Sequence, residues 1–94
     1  MDKLTKYLTL IDDENLMKRF LIDLLEPVER QRLEMRIGIA TDLRNGYPYE
    51  DIESHTNAST ATISKVKKAL VYGADGYSDV LRKYSNEVDY EGKL

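Results

Sequence analysis

The chain has 94 residues, of which 41% are hydrophobic and 33% are charged, and its formal net charge is −3. This length predicts one domain near the lower size limit for a single hydrophobic core, so a second copy of the chain would add useful buried surface. The absence of cysteine excludes a disulfide framework and a thiolate metal site. The acidic balance argues against indiscriminate nucleic-acid binding, which requires a broadly basic surface, but not against a local basic patch.

The sequence has no feature typical of a membrane segment or of a catalytic centre. The N-terminus is charged every few residues, and no apolar span is long enough to cross a bilayer, so we expect a soluble, cytoplasmic protein without a membrane partner. His55 is the only histidine, and phosphate loops, nucleophile elbows and histidine-based general bases are absent. We interpret His55 as a solvent-facing helix residue and predict no catalytic residue, no metal site and no enzyme activity.

Two helices are predicted before the first proline. Residues 3–11 form a short, weakly amphipathic helix. The next segment, "DENLMKRFLIDLL", has Asp12 or Asp13 as a plausible N-cap. Its apolar residues cover more than one face, which predicts a helix that is buried on two sides.

The third helix has the strongest pattern in the sequence. Pro27 suits the first helical position, and Asn45-Gly46 supplies the left-handed residue that ends helices. The apolar residues spread over roughly half of the circumference, which favours a central helix with two packing partners. Arg36 lies near the middle of this arc, where its charge needs an ion pair with Glu29, a carboxylate on another helix, or a bound ligand.

Shorter helices follow. "YEDIESHT" predicts a helix of about two turns, and Asn57 ends it because asparagine tolerates positive φ. Ser59 is a good N-cap for "TATISKVKKALVYG", which Gly73 terminates, and "GYSDVLRKYS" predicts the last helix. We therefore predict a single helical domain over residues 1–86 and an acidic, mobile tail over residues 87–94.

The spacing in this region matches a helix-turn-helix over about residues 48–72. Counted from Tyr49, apolar residues occupy the fourth, fifteenth and eighteenth positions, and Asn57 occupies the ninth, where a left-handed residue is usual. Glu53 at the fifth position and Thr56 at the eighth depart from the pattern. A purely structural helix pair is the alternative interpretation.

The second helix of this pair combines an apolar stripe with a face that has no acid. Ile63, Val66 and Leu70 have the spacing of a face packed on a core. The opposite face is small and polar at its N-terminal end and cationic further along, which suits the major groove of DNA. The predicted DNA-binding residues are Thr60, Ala61, Thr62, Ser64, Lys65, Lys67 and Lys68.

Two segments, "LLEPVERQRLEMRIGIATDLRNG" and "ATISK", resemble the Trp repressor family, and more closely its relatives grouped as the YerC/YecD proteins. The resemblance covers roughly residues 16–81. It implies an all-α, six-helix Trp-repressor-like fold with a helix-turn-helix, in which two copies interlock as an intertwined homodimer. The broad apolar helices would then form the dimer core.

The resemblance also implies a site for an effector. The two corepressor-binding arginines of the family correspond to Arg36 and Lys65, which are therefore the predicted effector-binding residues. Val66 stands in place of a glycine, Ala69 in place of a serine that receives the amino group of the ligand, and Glu26 in place of a threonine. We therefore expect no cofactor, and if a small-molecule corepressor binds at this site we expect it not to be tryptophan.

The resulting hypothesis is a sequence-specific DNA-binding transcriptional regulator, a repressor, that acts on double-stranded DNA as a homodimer. Basic residues of the family correspond to Glu50 and Glu53, which would repel phosphate. Either the contact with DNA is shifted toward Lys65, Lys67 and Lys68, or the affinity is weak. The alternative hypothesis is a protein-interaction module derived from a helix-turn-helix, with little affinity for DNA.

Overall fold

The computed structural model describes residues 2–93, with side chains described as far as residue 88. Over this range the chain forms helices and no strand, which confirms the predicted all-α, six-helix fold. The helices are α1 (Lys3–Leu10), α2 (Glu14–Leu24), α3 (Pro27–Arg44), α4 (Tyr49–Thr56), α5 (Thr60–Tyr72) and α6 (Gly76–Lys93). Among these residues, no helix has both the length and the apolar composition needed to span a membrane. That two copies of the chain form an intertwined homodimer stays a prediction.

The chain divides into two compact units between Leu33 and Glu34, a boundary that lies inside α3. We call the unit before this boundary the N-terminal unit and the unit after it the C-terminal unit. The first contains α1, α2 and the beginning of α3, and the second contains the rest of α3 together with α4, α5 and α6.

Side-chain caps define the helices of the N-terminal unit. The carboxylate of Asp2 accepts a hydrogen bond from the backbone N–H of Thr5 at 2.7 Å, and that of Asp13 accepts one from Asn15 at 2.9 Å. The predicted alternative between Asp12 and Asp13 is therefore resolved in favour of Asp13. Each cap satisfies a backbone donor that a helix leaves without an internal partner.

Aromatic packing and a further cap complete the N-terminal unit. The rings of Tyr7 and Phe20 lie 6.2 Å apart between centroids and place α1 against α2. At the start of α3, the Glu29 carboxylate accepts a hydrogen bond from the Glu26 backbone N–H at 2.8 Å, as in a capping box. Arg36, for which Glu29 was one predicted partner, is solvent-exposed. That Arg36 forms an ion pair or binds a ligand stays a prediction.

The hydrophobic core lies in the C-terminal unit, where α3, α4 and α5 each contribute a fully buried isoleucine. The buried residues are Ile39, Ala40, Ile52, Ala58, Ile63 and Val66. Partly buried side chains pack around them, including Leu70 on α5 and Tyr77 and Leu81 on α6. The predicted apolar stripe of α5 therefore faces this core.

Two glycines end helices, as the sequence predicts. Gly46 has a φ of 83°, in the left-handed region, and its N–H donates to the Leu43 carbonyl at 3.1 Å. Gly73 follows α5, and a Cβ atom there would lie 2.3 Å from the carbonyl oxygen of Ala69. A larger residue at position 73 would therefore force the end of α5 to shift.

The last helix is longer than predicted. α6 begins at Gly76 and runs to Lys93, past the end of the segment "GYSDVLRKYS" that predicts it. The division into a domain over residues 1–86 and a mobile tail over residues 87–94 stays a prediction. Acidic residues do not stop a helix by themselves, and residues 77–91 contain neither proline nor glycine. Leu94, the last residue of the predicted tail, lies outside the described residues.

Candidate nucleic-acid interface

The segment from α4 to α5 has the geometry of a helix-turn-helix. α4 ends at Thr56, Asn57 adopts the left-handed conformation at φ 58° and ψ 19°, and α5 begins at Thr60. Ala58, in the middle of the turn, is only 6% exposed. The turn is therefore packed into the core, and this packing fixes how α5 is presented to solvent.

Thr56 has a specific polar role in this turn, although it departs from the usual pattern. Its hydroxyl donates to the carbonyl oxygen of Ile52 at 2.7 Å and accepts from the backbone N–H of Ala58 at 3.2 Å. Both backbone groups belong to buried residues, so the hydroxyl satisfies polar groups that water cannot easily reach. A threonine here can replace the usual leucine because it stabilises the turn by hydrogen bonding.

Hydroxyl groups organise the first turn of α5. Ser59 caps the helix, with its Oγ accepting from the backbone N–H of Thr62 at 3.2 Å and lying 3.0 Å from the Thr62 hydroxyl. The Thr60 hydroxyl donates to Oε1 of Glu53 on α4 at 2.5 Å. The hydroxyl groups of Thr60 and Thr62, both predicted to contact DNA, thus already form hydrogen bonds within the protein.

The predicted DNA-binding residues fall into three groups on α5. Thr60 and Lys67 lie on the flank toward α4, where Lys67 Nζ stands 5.8 Å from the centre of the Tyr49 ring. Thr62 is half-buried. The remaining four are solvent-exposed and share the face opposite the buried Ile63 and Val66; they are Ala61, Ser64, Lys65 and Lys68. We call these four residues the α5 outer face.

Acidic residues of α4 stand next to this helix. Glu50 and Asp51 are exposed in the first turn of α4, whereas Glu53 is half-buried and bound to Thr60. α5 itself contains no acid. The negative charge of α4 is therefore divided between two exposed carboxylates and one that is fixed against the start of α5.

The predicted effector residues and the apolar cavity of the C-terminal unit are separate. Arg36 and Lys65 are both exposed. A cavity of about 490 Å³ is lined by apolar residues and glycines together with Tyr77, and it includes Ala69 but neither Arg36 nor Lys65. The assignment of an effector to Arg36 and Lys65 thus stays a prediction.

His55 makes a contact that the sequence does not reveal. Its side chain is 47% exposed, but its Nδ1 lies 3.0 Å from Oδ2 of Asp42, and the Tyr47 ring meets the imidazole edge-on at 5.1 Å between centroids. This group joins the end of α3 to α4. Across the described residues, no cluster of three or more histidine or carboxylate side chains is arranged to hold a metal ion.

Comparisons with known proteins agree with this geometry. The family model described as Trp repressor protein matches residues 1–85. The chain is 42% identical to the uncharacterised protein YerC of Bacillus subtilis strain 168 over 81 residues, which cover 86% of this chain and 78% of YerC. It is 34% identical to a protein from Staphylococcus aureus whose crystal structure is described as that of a candidate Trp repressor. The TM-score is 0.85, with 89% of this chain and 84% of that one covered. The chain therefore belongs to the Trp repressor family, as a YerC-type member, and this is a family of regulatory DNA-binding proteins rather than enzymes.

Proposed function

We propose that this protein is a sequence-specific DNA-binding transcriptional regulator, a repressor, that acts as a homodimer in the cytoplasm. The observation that carries the proposal is the α5 outer face, which combines two small residues and two lysines on a helix anchored by a buried stripe. Family membership supports the same function.

The order of residues along the α5 outer face suits the major groove. Ala61 and Ser64 are short, so the N-terminal half of α5 can approach the edges of the bases. Lys65 and Lys68 follow with flexible, positively charged side chains that reach phosphates on the rim of the groove. Contact with bases would then select the sequence, and contact with phosphates would supply most of the affinity.

Exposed apolar side chains support the homodimer. In the single chain, Leu10 is 76% exposed, and Ile22 and Val28 are 49% and 55% exposed. Apolar surface that stays in water does not contribute to folding stability, and burying it against a second copy would be favourable. In a symmetric dimer, two α5 helices would read an operator with two-fold symmetry.

An effector remains part of the proposal. Arg36 and Lys65 are exposed cations that could bind an anionic group of a small-molecule corepressor. Screening amino acids and small anions by thermal shift tests this point. Stabilisation of the wild type that is lost in Arg36→Ala would support the site, and no stabilisation by any compound would count against it.

The DNA-binding proposal is tested by removing the two lysines of the α5 outer face. Fluorescence anisotropy with a preferred genomic fragment should show that Lys65→Ala with Lys68→Ala weakens binding and flattens its dependence on salt. Each phosphate contact that is lost lowers the slope of log K against log[salt] by about 0.9. The matched control is Lys6→Ala with Lys18→Ala, which removes the same charge from α1 and α2.

Equal loss of affinity in the two double variants would mean that net charge, and not α5, controls binding. If the wild type and both variants bind all fragments equally poorly, the proposal fails.

A second function is favoured by the acids on α4. Glu50, Asp51 and Glu53 lie beside α5 and would suit a basic protein partner better than phosphate. This protein-interaction module would have little affinity for DNA. A pull-down that returns one stoichiometric partner, with no DNA binding at low salt, would favour it over the repressor.

A further inference from the structure

A hydrogen bond between α4 and α5 fixes a carboxylate at the start of the proposed recognition helix. Oε1 of Glu53 accepts from the Thr60 hydroxyl at 2.5 Å, and Glu53 is half-buried. The two residues are seven positions apart, and the turn between them is held by the left-handed Asn57 and the buried Ala58. The Glu53 carboxylate is therefore a positioned group at the helix-turn-helix corner.

The chemistry of this pair follows from its single hydroxyl hydrogen. Thr60 donates that hydrogen to Glu53, so the lone pairs that remain on both side chains are hydrogen-bond acceptors. These two side chains consequently present negative charge and no donor. The Glu53 carboxylate repels phosphate, whereas it attracts a base that exposes an amino group.

We propose that Glu53 is a specificity-determining residue that selects cytosine in each half-site. This inference rests on the proposed function above. Cytosine exposes its N4 amino donor in the major groove. Adenine also exposes an amino group, but its N7 acceptor lies beside it and would repel a carboxylate. Guanine and thymine present acceptors at their own edges. Thr60 acts as the positioning residue that keeps the Glu53 acceptor in place.

Glu53→Gln separates base reading from a merely structural role. The glutamine keeps an oxygen that can accept from Thr60, so the link between α4 and α5 can persist. Its amide group adds a donor, and a side chain with both a donor and an acceptor pairs with adenine N6 and N7. A change in base preference without a change in fold would therefore identify Glu53 as a reader.

The experiment is selection of bound duplexes from a randomised pool by the wild type, Glu53→Gln and the control Glu50→Gln. The wild type should prefer cytosine about tenfold at one symmetric position in each half-site, within the range for a specific base contact. In Glu53→Gln this preference should fall below about twofold or change to adenine, with the other positions unchanged. Glu50→Gln alters the charge of α4 equally and should keep cytosine.

Thr60 variants test the positioning role. Thr60→Ser keeps the hydroxyl and should keep the cytosine preference, whereas Thr60→Val should broaden it at the same position only. Circular dichroism and melting temperature identify variants that have lost the fold.

Three outcomes decide between the proposals. If the wild type selects no site, the proposed function and this inference fall together. If it selects a site and Glu53→Gln selects the same bases, the inference alone is overturned. Tighter binding of Glu53→Gln to every sequence, with an unchanged motif, also overturns it, because Glu53 would then act only by repelling phosphate.

Discussion

The two compact units differ in how completely they bury their apolar side chains. The C-terminal unit contains every buried residue among the described side chains, including three fully buried isoleucines on three helices. In the N-terminal unit, α1 and α2 have no buried residue. The C-terminal unit has a core of its own, whereas the helices of the N-terminal unit pack through partial contacts such as that between Tyr7 and Phe20.

This difference indicates what each unit contributes to function. The helix-turn-helix is built on the buried core, so contacts within the single chain hold α5 in place. The N-terminal unit has apolar surface that its own residues do not cover, which suits the proposed second copy. DNA reading would thus reside in the C-terminal unit, whereas exposed apolar side chains that a second copy could cover occur in both units, for example Leu10 and Tyr72.

The largest effect is expected for Ile63→Ala in the C-terminal core. Ile63 is fully buried, and truncation of a buried isoleucine to alanine typically costs about 2–5 kcal/mol because it leaves a cavity. Urea denaturation followed by circular dichroism measures this loss. The control Val71→Ala, at a position that is 60% exposed on the same helix, should cost far less. Equal effects would contradict the assignment of the core.

A smaller effect on assembly is expected for Leu24→Ala in the N-terminal unit. Leu24 is 48% exposed in the single chain, so covering its remaining surface in a dimer would contribute roughly 1 kcal/mol per copy. The dimer dissociation constant, measured by analytical ultracentrifugation, should therefore rise about tenfold or more. The polar control Lys18→Ala should leave it unchanged. A wild type that sediments as a monomer at all concentrations would refute the dimer.

Loss of the cap on the recognition helix should cost about 1 kcal/mol of folding stability. Ser59→Ala removes the oxygen that accepts from the Thr62 N–H, and changes of this kind typically cost about 0.5–2 kcal/mol. Thermal denaturation measures the effect. Ser54→Ala makes the same chemical change at an exposed position inside α4 and should be nearly neutral. A neutral Ser59→Ala would mean that the cap contributes nothing.

The smallest effect is expected at the contact between α3 and α4. Asp42→Ala removes the 3.0 Å partner of His55 and should cost about 0.2–1 kcal/mol, as partly exposed pairs usually do. Arg82→Ala breaks the more exposed pair with Asp79 and should cost less. Chemical denaturation of both variants in parallel gives the comparison, and a larger loss for Arg82→Ala would contradict it.

Local signals in the sequence predict most of the helix boundaries correctly. Gly46, Asn57 and Ser59 each have a strong preference for a particular cap or turn conformation, and the structure places each in that conformation. The segment "GYSDVLRKYS" underestimates the length of α6, because acidic residues do not stop a helix by themselves and nothing in residues 77–91 interrupts one. Composition is thus a weaker guide to a helix end than a specific stop residue.

Contacts across turns could not be predicted in the same way. His55 with Asp42 and Glu53 with Thr60 join residues 13 and 7 positions apart, and periodicity within a helix contains no information about such pairs. The helical wheel does predict the α5 outer face. It does not reveal that Lys67 stands over Tyr49, because that contact depends on how α4 and α5 cross.

If two copies of α5 read a defined DNA sequence, a genome-wide selection should recover that sequence. Genomic fragments bound by the wild-type protein at physiological salt would be recovered and sequenced. The proposal predicts enrichment of an inverted repeat whose half-site centres lie about one helical turn, roughly 10 base pairs, or a multiple of it apart. Recovery of all fragments at their input frequency would contradict it.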